Sequence, residues 1–301
     1  MCFWVFLVKV RLQLPAKVNW TLRVLGKRPD GFHELRSWFV AVDICDTLEA
    51  VPAECSSLSV TGPFGEGLNE VDENLVLKAE RKWRKSGGDA PPISWMLEKN
   101  IPIGGGLGGG SSNAAGALWL LERSATCTVG NDKLVDLAAS LGSDVPFFFS
   151  GQDAELRGGK GEELLKRVPS PDAWLVFVCP PVEVSTAKVY TNLGASGLIA
   201  ENAPTAEVNR SIFPAVPGPN DLESTACDVY PQLAEISRKL AAVADSQDIP
   251  RFYLSGSGGC FFTVCSDAPT AHDLARVVSS LEADILVART HSGAVLPLLS
   301  S

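Results

Sequence analysis

Apolar and polar residues alternate at the start of the chain, and further on the period lengthens. Val8, Val10, Leu12 and Leu14 recur at every second position, the spacing of a half-buried strand. KVNWTLRVLG continues it with Val18, Trp20, Leu22 and Val24 on one face, and Pro29, Asp30 and Gly31 supply a tight turn. SWFVAVDICDTLEAV, rich in β-branched and aromatic residues, predicts another strand pair, and SSLSVTG a short strand. The period becomes helical in NLVLKAERKWRKSGG, which closes on Lys82, Arg84 and Lys85 ahead of Gly87. NDKLVDLAASLG puts Leu134, Leu137, Ala138 and Leu141 on one helical face and stops at Gly142. Ser143, Asp144, Val145 and Pro146 then form a corner before three phenylalanines, and AELRGGKGEELLKRV reads as strand, glycine turn, strand.

The pattern restarts after Pro169. AWLVFVCP is a buried strand, VSTAKVYTNL a loop and helix, and residues 195–218 an irregular Pro/Ala/Gly-rich insertion. Residues 229–244 are helical, RFYLSGSGGCFFTVC is a strand, glycine turn and strand, TAHDLARVVSSLEA a helix, and DILVARTHSG a last strand. That order predicts a split βαβ, ferredoxin-like second domain, and hence an α+β protein of two domains.

One segment fits neither period. In IPIGGGLGGGSSNA, glycine fills Gly104, Gly105, Gly106, Gly108, Gly109 and Gly110, and the chain then turns helical. Backbone without Cβ atoms lets a ligand touch N–H groups, and a helix N-terminus following them favours phosphate. Ser111, Ser112 and Asn113 are expected to cap a helix from Ala114 to about Glu122. A flexible linker is the competing reading, but a linker would not separate an apolar segment from an amphipathic helix.

Composition narrows the partners. A chain of 301 residues suits two domains or one large one, and a net charge of −9 argues against a general nucleic-acid surface. The eight cysteines show no paired spacing, which suits reduced, mostly buried thiols in the cytosol, and three histidines leave little material for zinc. The apolar start has no preceding basic segment and is too short to span a bilayer, so a cytoplasmic protein without membrane partners is expected.

Four segments carry the chemistry: PAKVN with Lys17 and Asn19 on one side of a strand, PDGFHEL with Phe32 and His33, LGSDVPFF with Asp144, and LSGSGGCFF with a second small-residue turn. With the glycine segment and NDLE at 220–223, they resemble, in this order, the GHMP kinase superfamily from about Arg11 to Gly259. Gly109 and Gly110 stand where most members carry Ser-Ser, which is similar to the branch whose acceptor is a cytidine diphosphate alcohol. The resemblance implies an N-terminal ribosomal-protein-like α/β domain, residues 1–165, that binds ATP and carries catalysis, and a ferredoxin-like α/β domain, residues 166–301, that contacts substrate. It implies phosphorylation by ATP, as its Mg²⁺ complex, of the tertiary hydroxyl of a cytidine-diphosphate methylerythritol in non-mevalonate isoprenoid synthesis.

By the same resemblance, Pro102, Gly104, Gly105, Gly106, Leu107, Gly108, Gly109, Gly110, Ser111 and Ser112 would wrap the ATP phosphates. Asp144 would accept or orient the acceptor's proton, and Lys17 would pair with that carboxylate and steady the transferred phosphoryl group. Asn19, Phe32, His33, Tyr190, Ser255 and Gly256 would contact the acceptor, His33 at the cytosine edge and Tyr190 on its face. No carboxylate announces itself as a Mg²⁺ ligand, and Ser111 and Ser112 are the nearest hydroxyls. A monomer or weak homodimer is expected. Phe32 stands where the family usually has tyrosine, and Trp20 where a smaller aliphatic residue is common.

Plainer roles compete at each position. Asp144 can be a helix N-cap, Lys17 a solvated edge charge, Tyr190 a packing aromatic, and Ser255–Gly259 an ordinary hairpin turn. Asn220 and Asp221 are by default caps of the helix they open. Two other functions remain open: a relative acting on homoserine or mevalonate, and a sensor that keeps the fold without catalysis.

Overall fold

The structure, a computed structural model, describes residues 9–68, 74–150, 154–193, 213–291 and 296. Its frame is a long antiparallel hairpin, β1 (Val10–Lys27) against β2 (His33–Pro52). The sequence pattern suggested separate shorter strands. Instead each strand runs through, with register shifts at Pro15/Ala16, Asn19/Thr21 and Val24/Gly26 that absorb the breaks in alternation. The length of β2 lets it serve two neighbours: its far half pairs with β4 (Ile93–Glu98) and its near half with β5 (Ala154–Gly158). The short strand β3 (Ser57–Thr61) pairs parallel to β4, and β6 (Glu163–Val168) pairs with β5.

Among the described residues, four helices accompany this sheet: α1 (Leu75–Lys85), α2 (Gly109–Ser124), α3 (Asn131–Leu141) and α4 (Val145–Ser150). Asn74 caps α1 through its side chain, which accepts from the Val76 N–H. The central helix is α2, buried on nearly every side, and a Cβ on Gly116 would lie 2.7 Å from the Leu14 methyls of β1. It begins five residues before the expected Ala114. The residue before its first turn is Gly108, in the left-handed region at φ 71°, so Ser111, Ser112 and Asn113 lie inside the helix and are not its caps.

The second sheet has the order β10-β7-β9-β8, from β7 (Trp174–Cys179), β8 (Tyr253–Leu254), β9 (Phe261–Cys265) and β10 (Asp284–Arg289), all pairs antiparallel. Between its strands run α5 (Thr186–Leu193), α6 (Glu223–Val229), α7 (Pro231–Gln247) and α8 (Ala268–Val278). This is the expected split βαβ order. Most of the 195–218 insertion lies outside the described residues. Its end is described: Phe213 packs 5.3 Å from both Trp20 and Trp38, and Pro214 O accepts from Trp20 Nε1 at 3.0 Å.

An apolar seam joins the two sheets. Ala16, Val18, Trp20, Trp38 and Val40 of the hairpin meet Leu175, Phe177 and Phe262, with Ile101 and Leu107 wedged in from the glycine segment. The cysteine expectation needs correction on two counts. Cys179 and Cys260 form a disulfide, because they are the next opposed pair beyond Val178 and Phe261 in the β7–β9 register, a proximity no sequence spacing displays. Cys55 and Cys127 are exposed and Cys45 and Cys227 half-buried, so the free thiols among the described residues are not mostly buried. Among the described residues, no helix is long and apolar enough to cross a membrane.

Candidate active site

The glycine segment leaves β4, crosses the end of the apolar seam and feeds α2. Its carbonyls are taken by the protein. Leu107 O accepts from the Lys17 N–H at 2.9 Å, Gly104 O from Gly259 N–H at 2.9 Å, Gly105 O from Cys260 N–H at 3.2 Å, and Gly106 O from Ser255 Oγ at 3.1 Å. What remains to offer an anion is the N–H side, together with the first amides of α2, which have no intrahelical partner. The 255–260 turn presses against this loop backbone to backbone: a Cβ on Gly258 would lie 1.9 Å from Gly106 N. That turn is held in turn by Asn220, whose Nδ2 donates to Leu254 O at 2.8 Å and Gly256 O at 2.7 Å. Neither Asn220 nor Asp221 caps the helix that follows, whose N-cap is Leu222 without a side-chain hydrogen bond: Asn220 Oδ1 accepts from Leu222 N–H, and Asp221 accepts from Val24 N–H and Arg23 Nε on β1.

Two cavities meet at the loop. A groove of about 340 Å³ is lined by Asn74, Leu75, Lys99, Pro102, Ile103 and the loop itself. A wider cavity of about 800 Å³ is lined by Lys17, Asn19, Phe32, His33, Asp144 and Tyr190, among others. Gly106, Gly108 and Ser111 line both, so the glycine loop is their common wall. A third cavity of about 810 Å³ lies elsewhere, and its arginines are already engaged, Arg23 with Asp221 at 3.1 Å and Arg251 with Glu223.

At the junction stands Lys17. Its ammonium is buried, 2.6 Å from Asn19 Oδ1, 3.2 Å from Asp144 Oδ2 and 4.9 Å from the Phe39 ring centre. It is not a solvated edge charge. Asn19 is oriented by Ser37, whose Oγ accepts from Asn19 Nδ2 at 2.7 Å and donates to Thr21 O at 2.6 Å. Asp144 comes from the corner between α3 and α4. The Phe147 N–H bonds to the Asp144 carbonyl at 3.2 Å, which leaves its carboxylate facing Lys17 and the cavity.

The far wall of the wide cavity is aromatic. The His33 ring from β2 and the Tyr190 ring from α5 stack on each other, with centroids 5.3 Å apart and planes at 26°. That spacing is too close to admit a third ring between them. Burial, with a smaller push from Lys27, holds His33 below its ordinary value, and burial raises the Tyr190 phenol with help from the Asp144 charge. Phe32 is exposed, and the Lys160 ammonium sits 4.5 Å from its ring centre. Ser255 and Gly256 adjoin Asn19: its N–H donates to Ser255 Oγ at 3.4 Å, and a Cβ on Gly256 would lie 2.8 Å from Asn19 Oδ1.

Pro102 through Ser111 thus form one wall, with Ser111 facing both cavities. Ser112 is fully buried in the first turn of α2, and its hydroxyl has no hydrogen-bond partner among the described residues. Sequence reasoning passed over Lys160, Thr186 and Ser257 on the rim, where the last two hydroxyls share a hydrogen bond of 2.8 Å. The GGKG turn that carries Lys160 looked only like a hairpin turn. Among the described residues no cluster of three histidines, cysteines or carboxylates could hold a metal ion.

A family model of the GHMP kinases N terminal domain matches residues 74–152. Over 271 residues the chain is 36% identical to the 4-diphosphocytidyl-2-C-methyl-D-erythritol kinase of Neisseria meningitidis serogroup C (strain 053442), covering 89% of this chain and 90% of the relative. It is 37% identical to the Pelotomaculum thermopropionicum enzyme of the same name over 282 residues, 91% of this chain and 96% of the relative. The crystal structure of a 4-(cytidine 5'-diphospho)-2C-methyl-D-erythritol kinase superposes with a TM-score of 0.74 at 30% identity, covering 94% of this chain and all of that one.

Proposed function

The chain belongs to the 4-diphosphocytidyl-2-C-methyl-D-erythritol kinase family of the GHMP kinases, and from that premise we propose how its two cavities divide the reaction. ATP occupies the narrow groove with its phosphates on the glycine loop. The cytidine diphosphate alcohol occupies the wide cavity with its tertiary hydroxyl toward Lys17 and Asp144. The observation that carries this reading is the shared wall: Gly106, Gly108 and Ser111 border both spaces, so a γ-phosphate on the loop faces the second cavity.

Phosphoryl transfer asks for alignment and charge neutralisation more than covalent help. The acceptor oxygen attacks the γ-phosphorus, the bond to the ADP oxygen breaks, and the hydroxyl proton passes to the Asp144 carboxylate. Lys17, 3.2 Å from that carboxylate, offers its positive charge to the phosphoryl group in flight. Asn19 holds Lys17 from the other side and is itself held by Ser37. His33 and Tyr190 recognise the cytosine, Phe32 lines the rim, and Ser255 and Gly256 approach the acceptor's diphosphate.

Mg²⁺ suits the donor set in a limited way. The orphaned Ser112 hydroxyl and the neighbouring Ser111 are hydroxyl oxygens of the kind a largely hydrated ion accepts, and Mg²⁺ needs few protein ligands. When bound with ATP, it neutralises phosphate charge. We assign residues 1–165 to ATP binding and catalysis, with Phe32 and His33 also facing the acceptor, and residues 166–301 to substrate contact, and we place the enzyme in the cytoplasm as a monomer or weak homodimer.

A comparison of acceptors tests the reading. Purified protein with Mg-ATP is expected to release ADP with the cytidine diphosphate methylerythritol and not with homoserine or mevalonate. Turnover on either of the latter alone would overturn the choice of acceptor.

A further inference from the structure

Beneath the glycine loop lies a polar group that the reaction as derived does not use. Asp46 on β2, Lys99 immediately after β4 and Asn113 in α2 are 0%, 4% and 2% exposed. Asp46 Oδ1 accepts from the N–H groups of Asn100 and Ile101 at 2.7 and 2.9 Å. Its Oδ2 accepts from Asn113 Nδ2 at 2.9 Å and pairs with the Lys99 ammonium. Lys99 Nζ closes the ring by donating to Asn113 Oδ1 at 3.1 Å.

The connections have a definite geometry. One carboxylate grips the chain just before the glycine loop, through two amides, and just after it, through Asn113 in the helix. The loop is therefore pinned at both ends to β2. The ammonium sits against the start of the helix, since a Cβ on Gly109 would lie 3.1 Å from Lys99 Nζ. Both Lys99 and Asn113 border the narrow groove, whereas neither borders the wide cavity. Burial disfavours the Lys99 ammonium and Asp46 favours it. A buried pair of this kind seldom stabilises a fold more than apolar packing would, so its place under the loop points to geometry.

We propose that Asp46, Lys99 and Asn113 are positioning residues for the ATP phosphates. They fix the distance between the end of β4 and the first turn of α2, and with it the spacing of the amides that meet the phosphate chain. Small misplacement of a reacting group costs rate disproportionately, and here the misplacement would fall on ATP alone. The inference rests on the reading of the narrow groove as the ATP site.

The test is a split between the two substrates. Asp46→Asn keeps the shape but loses the charge and one acceptor, and Asn113→Ser keeps the ion pair but cuts the link to the helix. Each is expected to raise the KM for ATP, and the calorimetric Kd for ATP, by about tenfold, with the KM for the acceptor within about twofold of wild type. Unchanged ATP parameters, or both KM values rising together as in general loosening, would overturn the proposal. If Asp46→Asn does not fold, Asn113→Ser gives the same readout. Wild-type protein that binds ATP but turns over no acceptor would overturn the function and still leave the network testable by ATP affinity.

Discussion

In the proposed mechanism, Lys17 is the residue on which most of the chemistry converges. Its ammonium is buried with two oxygen partners, Asn19 Oδ1 and Asp144 Oδ2, and the Phe39 ring beside them. Removing a carboxylate partner leaves the cation in place, so the effect falls on proton transfer. Asp144→Asn is expected to lower kcat by about 10²–10⁴ with ATP affinity within about twofold, read by single-turnover rates and ATP titration. An unchanged kcat would remove Asp144 from the proton's path. His33 gives a pH signature. Burial and Lys27 hold it below the ordinary histidine value of 6.5, so it is neutral at pH 7 and one ring nitrogen is free to accept. The KM for the acceptor is expected to stay flat above neutrality and to rise as acid protonates the ring, and His33→Gln to abolish that rise. A profile unaffected by the substitution would count against His33.

The glycine loop and the turn that braces it are the elements that decide how close backbone can come to backbone. Gly108 has a left-handed backbone, and a Cβ there would meet Lys17 Cγ at 3.0 Å and Phe148 Cζ at 3.1 Å. Gly108→Val adds about 1–2 kcal/mol of backbone strain to that crowding, and is expected to weaken ATP binding in a nucleotide titration. Gly258→Ala would drive a methyl into Gly106 N, and is expected to lower both thermal stability and activity. Much at this scale was legible in the sequence: the glycine run, both hairpins of small residues, and the helices that follow a 3.6-residue period. The start of α2 was not, because capping serines are the ordinary signal and here a glycine in a left-handed conformation begins the helix. The Asp46 network escaped for a different reason. Its three members lie 53 and 14 residues apart along the chain and meet only when β2, β4 and α2 pack.

At the scale of the whole molecule, the apolar seam between the sheets fixes the site, and its polar edge is Asn220. Asn220→Ala would free Leu254 O and Gly256 O, loosening the turn that both braces the loop and adjoins Asn19. The Cys179–Cys260 disulfide ties that same turn to β7. Among the described cysteines, alkylation without reductant is expected to label exposed Cys55 and Cys127 first, to reach Cys45, Cys227 and Cys265 slowly because burial pushes each thiol up to about 11, and to spare Cys179 and Cys260. Peptide mass mapping reads the order. The central claim is that phosphate crosses the shared wall from one cavity to the other. Phosphorus NMR of the products formed from Mg-ATP and the cytidine diphosphate methylerythritol tests it most directly. The account predicts a new phosphomonoester on the acceptor in equal amount to ADP, with the acceptor's diphosphate intact. ADP accompanied by inorganic phosphate and unchanged acceptor would contradict it.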